Sequence, residues 1–427
     1  MANSYLSRSG STPTNSKKFT YSFWVKRSTL SADQAILSYE TDSANRGGIE
    51  LQTGEQFRYF ERVSNSTTVF VEPSRLFRDP AAWYHIVVAT DTTQSTEADR
   101  VKIYVNGVQE TDFASTPTYP ALNSDTRANG STVKNIGRRN VNNDYYFDGY
   151  LSHVSFVDGS ALAPTVFGQT DSTSGIWKFK SPSGVTWGNN GFHLKFENSG
   201  ALGTDSSGNS NTFTVNGNLK QSLDTPSNNH STINGLFRSR FLNQATLTNA
   251  NLTMTTGPTD GDKALLLGTQ GVTKGKWYWE CKVGADRSMI GFAYDSISRF
   301  SDFYGSNSPS DGFSVYGNNG NVYYDGSNTA YGSTWTTNDI IMVALDMDNK
   351  LAWLGKNGTW MNSATQTEIE NGTATNDLTT KMSTKQNLNS GEPVFPLFAD
   401  MTGTGDMAMD INFGNGFFGT TAITSAG

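Results

Sequence analysis

The sequence has a single cysteine, Cys281, in 427 residues. No intrachain disulfide is available, and a fold compatible with a reducing compartment is expected. No apolar run approaches the roughly 18 residues of a membrane-spanning helix, and polar residues follow Met1 directly, so neither membrane insertion nor a signal peptide is expected. Stretches of Ala, Leu, Glu and Lys with helical period are also missing. Basic residues adjoin only in short pairs, such as Lys17-Lys18 and Arg138-Arg139, in a chain of net charge -7 and pI near 5.2. That excludes the cationic footprint of a nucleic-acid-binding surface. The four histidines, His85, His153, His193 and His230, form no metal-ligand spacing, and the first three lie in apolar, strand-like surroundings. Neither a nucleophile elbow nor a run of alternating carboxylates is present, so no enzymatic activity is expected.

What the sequence has is glycine (42 residues), aromatics (12%) and abundant Ser, Thr and Asn, with only 17% charged residues. This is the composition of short strands joined by many turns. Strand alternation is clearest at Phe19–Lys26, where Phe19, Tyr21, Phe23 and Val25 share one face, and it recurs in short segments to Val71. The stretch Asp339–Trp360 reads as two hairpins in series: an apolar strand over 340–345, a polar turn at 346–350, a second strand, and a type I′ turn at Asn357-Gly358. The first half echoes it with Trp83–Thr90, a polar loop, Val101–Val105 and Asn106-Gly107. The echo implies an all-β chain of two tandem antiparallel sandwiches. The boundaries expected are a first domain at 1–221, a linker at 222–232 that holds Pro226 and lacks apolar period, and a second domain at 233–427. Residues 1–18 are expected to be an arm ordered only on assembly, Thr111–Asn135 a long loop, and Ala250–Thr255 a strand.

The phrases Phe19-Thr-Tyr-Ser-Phe-Trp-Val, Trp83-Tyr-His-Ile-Val-Val, Val101-Lys-Ile-Tyr-Val-Asn-Gly and Tyr150-Leu-Ser-His-Val-Ser-Phe resemble laminin G-like members of the concanavalin A-like superfamily. In the second half, Gly275-Lys-Trp-Tyr-Trp-Glu, Ile290-Gly-Phe-Ala, Asp339-Ile-Ile-Met-Val-Ala-Leu-Asp, Lys356-Asn-Gly and Ile411-Asn-Phe-Gly resemble the successive strands of a SPRY domain. Both resemblances imply concanavalin A-like jelly-roll β-sandwiches. The tandem, with connecting phrases such as Asp205-Ser-Ser-Gly-Asn-Ser-Asn, resembles structural proteins of tailed phages. That resemblance implies a virion-surface protein, a capsid decoration or a fibre or appendage subunit, made in the host cytoplasm. The partners implied are other virion proteins and host-surface glycans, with homo-oligomers, trimers foremost. A carbohydrate-active enzyme on the same fold and a cellular SPRY adaptor stand as alternatives. Laminin G-like sandwiches often hold calcium at a loop rim, and Asp205, Asn209 and Asn211 are the candidate oxygen ligands. No other cofactor is expected. The binding candidates are Tyr304, Tyr316, Tyr331 and Trp335, aromatic residues in a Gly/Ser/Asn-rich region where rings could stack on sugars or anchor a partner.

Overall fold

The structure, a computed structural model, describes residues 3–237, 245–257, 264–294, 297, 312–324, 327–381, 388, 391–400 and 407–423. The chain divides between Asn229 and His230 into two compact units, and each is built from antiparallel sheets, as the alternation requires.

In the first unit, one sheet has seven strands in the spatial order Thr214–Asn216, Tyr5–Ser9, Val133–Ile136, Gln34–Glu40, Arg46–Leu51, Phe57–Val63 and Ser66–Val71. The other has six, in the order Phe192–Leu194, Gly149–Asp158, Lys18–Arg27, Tyr84–Asp91, Val101–Val105 and Val108–Gln109. Phe19, Tyr21, Phe23 and Val25 share one core with Leu37, Ile49, Phe57 and Tyr59 of the facing sheet. The expected inward register is therefore the observed one. The opposite register, Ser22, Trp24 and Lys26, is buried too, because the six-stranded sheet is covered on its outer face. The Asn106-Gly107 turn has both residues left-handed, φ 48° and 81°, which lets Val105 pair with Val108.

The second unit repeats this plan. Its seven-stranded sheet runs Ala245–Thr248, Thr253–Thr256, Met407–Asn412, Lys276–Val283, Ile340–Asp346, Leu351–Lys356 and Thr359–Trp360. Its six-stranded sheet runs Ala264–Leu267, Phe395–Asp400, Ser288–Ala293, Gly312–Tyr316, Asn321–Tyr324 and Ser327–Ala330. The core between them includes Trp279, Cys281, Ile341, Val343, Leu345, Phe292, Val315 and Phe398. The two echo hairpins occupy equivalent places, each followed by a two-residue edge strand across an Asn-Gly turn.

Four expectations are corrected. Residues 1–18 are not a free arm: Tyr5–Ser9 is hydrogen-bonded between Val133–Ile136 and Thr214–Asn216. The first of these partners also interrupts the supposed loop at 111–135. The expected strand at 250–255 holds only in its second half: Thr253–Thr256 is a strand paired with Ala245–Thr248, whereas Asn249, Ala250 and Asn251, all at positive φ, form the turn between them. The linker at 222–232 is absorbed by the two units. Asp224, only 4% exposed, accepts from Lys26 Nζ at 2.8 Å and Trp83 Nε1 at 2.9 Å, and Asn229 donates to the Ala81 carbonyl. A segment without apolar period is still held when its carboxylate neutralises a buried ammonium. Beyond the division, Thr232 and Ile233 bond to Thr269 and Asn251 of the second unit.

Candidate functional site

Of the aromatics expected to bind a ligand, Tyr304 lies outside the described residues. Tyr316, Tyr331 and Trp335 are buried, at 4%, 4% and 2% exposure. Trp335 Nε1 donates to Ser288 Oγ at 2.8 Å, and the Tyr331 hydroxyl accepts from the Leu354 amide at 3.0 Å. Tyr316 packs edge-on against Tyr323. Polar neighbours in sequence suggested loops, but rings whose polar tips find partners inside are more stable buried. These three are core residues.

The calcium candidates are corrected as well. The two Asp205 oxygens accept from the amides of His193, Ser207 and Asn211 and from the Ser207 hydroxyl. Asn209 and Asn211 turn their Nδ2 groups onto the carbonyls of Gly188, Asn189 and Gly191, and Asn211 Oδ1 accepts from Arg8. A calcium ion needs converging free oxygens, whereas both Asp205 oxygens and Asn211 Oδ1 are occupied by protein donors. The three residues staple a turn. Among the described residues no group of three His, Cys, Asp or Glu is placed to hold a metal ion.

One pair has the composition of a nucleophile and base: Ser22 Oγ lies 2.8 Å from His85 Nε2. His85 Nδ1 accepts from Trp177 Nε1 at 3.0 Å, and an indole N–H can only donate. Nδ1 therefore carries no proton and the neutral ring holds it on Nε2, so His85 donates to Ser22 and has no lone pair there to take the serine proton. Burial, and secondarily His153, pushes the His85 pKa down to about 3. Trp24 stacks on its face with ring centroids 4.9 Å apart, and Trp177, hydrogen-bonded at its edge, lies nearly parallel with centroids 6.0 Å apart. This is a sealed structural cluster.

The exposed aromatics lie elsewhere, at the start of the strand Lys276–Val283 in the seven-stranded sheet of the second unit. Trp277 and Tyr278 are both 45% exposed. Tyr278, Glu280 and Lys282 form the outward register of Lys276–Val283, opposite Ala344, Met342 and Ile340 of the next strand. Part of this face is covered. The short helix Gln366–Asn371 is capped by Thr365, whose side chain accepts from the Glu368 amide, and ends in left-handed Gly372. It lays Ile369 near Ala344 and Trp353, and Glu368 accepts from Trp353 Nε1.

The uncovered part is a groove of about 910 Å³ lined by Trp277, Tyr278, Met342, Trp360, Ile369 and Phe418 among others. Tyr278 and Trp360 meet edge to face, with centroids 6.4 Å apart. Their polar tips are fixed: Tyr278 donates to Glu280 at 2.7 Å, Trp277 to the Lys274 carbonyl at 2.7 Å and Trp360 to Gln366 at 3.0 Å. Burial, and then Glu280, raises the Tyr278 hydroxyl well above its usual range, so the ring stays neutral. The result is a rigid set of aromatic faces with few unmet polar demands, the chemistry that stacks on sugars or on apolar side chains. Sequence reasoning gave neither Trp277 nor Tyr278 a binding role. The available signal was that Tyr278 alternates in phase with Glu280 and Lys282 rather than with Trp279 and Cys281.

Residues 2–166 match the family model of the concanavalin A-like lectin/glucanases superfamily, of the laminin G type, and residues 276–399 match the model of the SPRY domain. The chain thus carries a concanavalin A-like domain in its first unit and a SPRY domain in its second. Among solved structures, the SPRY domain of human HERC1 is 18% identical, covering 42% of this chain and 98% of that one at a TM-score of 0.31. The native heptameric SAP-like pentraxin of Limulus polyphemus is 14% identical, covering 43% of this chain and 82% of that one, also at 0.31. No curated protein matches the chain.

Proposed function

We propose that the chain is a non-enzymatic surface protein of a tailed-phage virion, a capsid decoration or a fibre or appendage subunit, that adheres to host-surface glycans through the groove of its second sandwich. The observation that carries the binding site is the pair Trp277 and Tyr278, each 45% exposed beside Trp360 on a preformed face. Exposed rings held by their polar tips cost little entropy on binding and offer flat faces to the C–H side of a sugar. The tandem resemblance supports the virion setting, and neighbouring virion proteins, with homotrimers foremost, are the other partners in this reading. The absence of enzymatic activity is supported by the donor role of His85 toward Ser22. Asp346, which begins a polar turn, has both its oxygens engaged by Asp348 and Asn349.

The test is binding of the purified chain to host-cell envelopes and to their isolated polysaccharides. Trp277→Ala and Tyr278→Ala should each weaken binding about tenfold or more, as expected for loss of a stacked ring in a small site. Binding that survives both substitutions together would overturn the assignment of the groove. Release of sugar from the polysaccharide, abolished by changing one Asp or Glu, would overturn the non-enzymatic reading.

A further inference from the structure

The first sandwich has an opening of its own, independent of the groove proposed above. It lies where the strand pair Tyr5–Ser9 and Val133–Ile136 of one sheet and Gly149–Asp158 of the other leave the core unfilled. The slot is about 570 Å³, within the range of small-molecule sites. Its floor is apolar: Leu6 and Ile136 of the core, and Phe147, Leu151, Phe196 and Leu219, which are partly buried against that core.

The walls are fixed. Gln221 Nε2 donates to the Phe196 carbonyl at 2.6 Å and ties the 219–225 coil to the strand end, while Asp224 anchors the same coil to Lys26 and Trp83. Two lining residues, His153 and Phe196, hold left-handed backbone at φ 48° and 62°. That costs a bulky residue on the order of 1 kcal/mol or more and is characteristic of ligand clamps. The charged lining groups are Lys195, Lys220, Glu197 and Asp224. Asp224 is consumed by Lys26, and Glu197 stands 70% exposed, 3.7 Å from Lys195. The mouth therefore keeps an excess of positive charge.

We propose that this slot binds a small amphipathic anion, an aliphatic chain with a terminal carboxylate. The chain lies between the sheets on Leu6, Ile136, Leu151 and Phe196, and the carboxylate sits at the mouth beside Lys195 and Lys220. Facing sheets stand about 10 Å apart, which admits a hydrocarbon chain but not a protein surface.

The experiment is calorimetric titration of the intact protein with decanoate below its micellar concentration, against decyltrimethylammonium, which has the same tail and the opposite charge. Saturable one-to-one binding of decanoate, about tenfold tighter than the cation, is expected. Leu151→Trp and Leu219→Trp fill the slot and should abolish it. Lys220→Glu, at an exposed position, should remove most of the preference for the anion with the melting temperature unchanged. Absence of saturable decanoate binding, equal binding of the two head groups, or undiminished binding in Leu219→Trp would each overturn the proposal. Should the tryptophan variants fail to fold, the head-group preference of Lys220→Glu decides it.

Discussion

The outer faces of the two equivalent sheets form a natural comparison. In the first unit, Ser22, Trp24, Lys26, His85 and Val87 lie under a cover made by Trp177, Phe167, Trp187 and the segment carrying Asp224, and almost nothing of the face reaches solvent. In the second, Tyr278, Met342 and Ala344 lie in the same strand positions under a shorter cover, the Gln366–Asn371 helix and the Phe417–Ala422 hairpin, and a groove remains. One strand plan yields a sealed face or an adhesive one according to the length and chemistry of what is laid across it.

The largest effects should separate the units. Asp224→Ala leaves Lys26, whose side chain is 0% exposed, as an uncompensated buried charge. A loss of about 3–5 kcal/mol is expected, seen as an earlier urea transition of the first unit alone. Trp335→Ala should cost the second unit a similar amount, about 3–5 kcal/mol, by opening a core cavity. A Trp335 variant that keeps its melting temperature would return that ring to the surface and undo the comparison.

The next effect is pH dependence. His85 is pushed down to about 3, and His153 and His193 to about 4, chiefly by burial. Their folded pKa values lie below the unfolded 6.5, so the unfolded chain binds more protons and stability falls as pH drops below 6.5. His85 alone should remove about 2–3 kcal/mol by pH 4.5. Glu40 and Glu61 are raised by burial and act in the opposite sense, trimming the loss. The described part of the second unit has only His230, which is not buried, and its shifted carboxyls Asp339, Asp346 and Glu368 are lowered, so their contribution is lost only below about pH 4.5. Thermal scans between pH 6.5 and 4.5 should therefore soften the first unit first. Simultaneous softening of both would show that the sealed face is wetter than its burial indicates.

Smaller still is the contrast between the two turn glycines. Gly358 has φ 82° with open space beside its Cα, whereas at Gly107, φ 81°, a Cβ would lie 2.5 Å from the Trp177 ring. Gly358→Ala should cost about 1 kcal/mol, the conformational penalty alone, and Gly107→Ala about 2–3 kcal/mol because the cover must also shift. Equal costs, measured by urea midpoints, would mean that Trp177 moves freely. Smallest is the stability effect of Trp277→Ala, expected within about 0.5 kcal/mol because the ring is half exposed, even as ligand binding is lost.

Much of the fold was legible because it is written in short-range signals. Phe19, Tyr21, Phe23 and Val25 alternate, and a strand has period two. Asn106-Gly107 and Asn357-Gly358 name their own turns, since few other residues accept left-handed backbone twice in succession. The strand Tyr5–Ser9 was not legible: it is polar and short, and is made by pairing with residues more than a hundred positions away. The sites were less legible still. Ser22, His85 and Trp177 come together across 63 and 92 residues, and which ring nitrogen of His85 carries the proton follows from the most distant of the three.

The sequence by itself determined an all-β chain, the two echoing hairpins, the inward register of the central strands and the family likeness of each half. These depend on backbone conformation and side-chain alternation, which neighbouring residues settle. Only the tertiary structure decided that Tyr331 and Trp335 are core, that Asp205 staples a turn, and that Trp277 and Tyr278 face solvent. Whether a ring is buried or presented is not a property of its own strand; it depends on how far a sequence-remote helix or hairpin extends across the sheet, and that extent is fixed only when the whole unit packs.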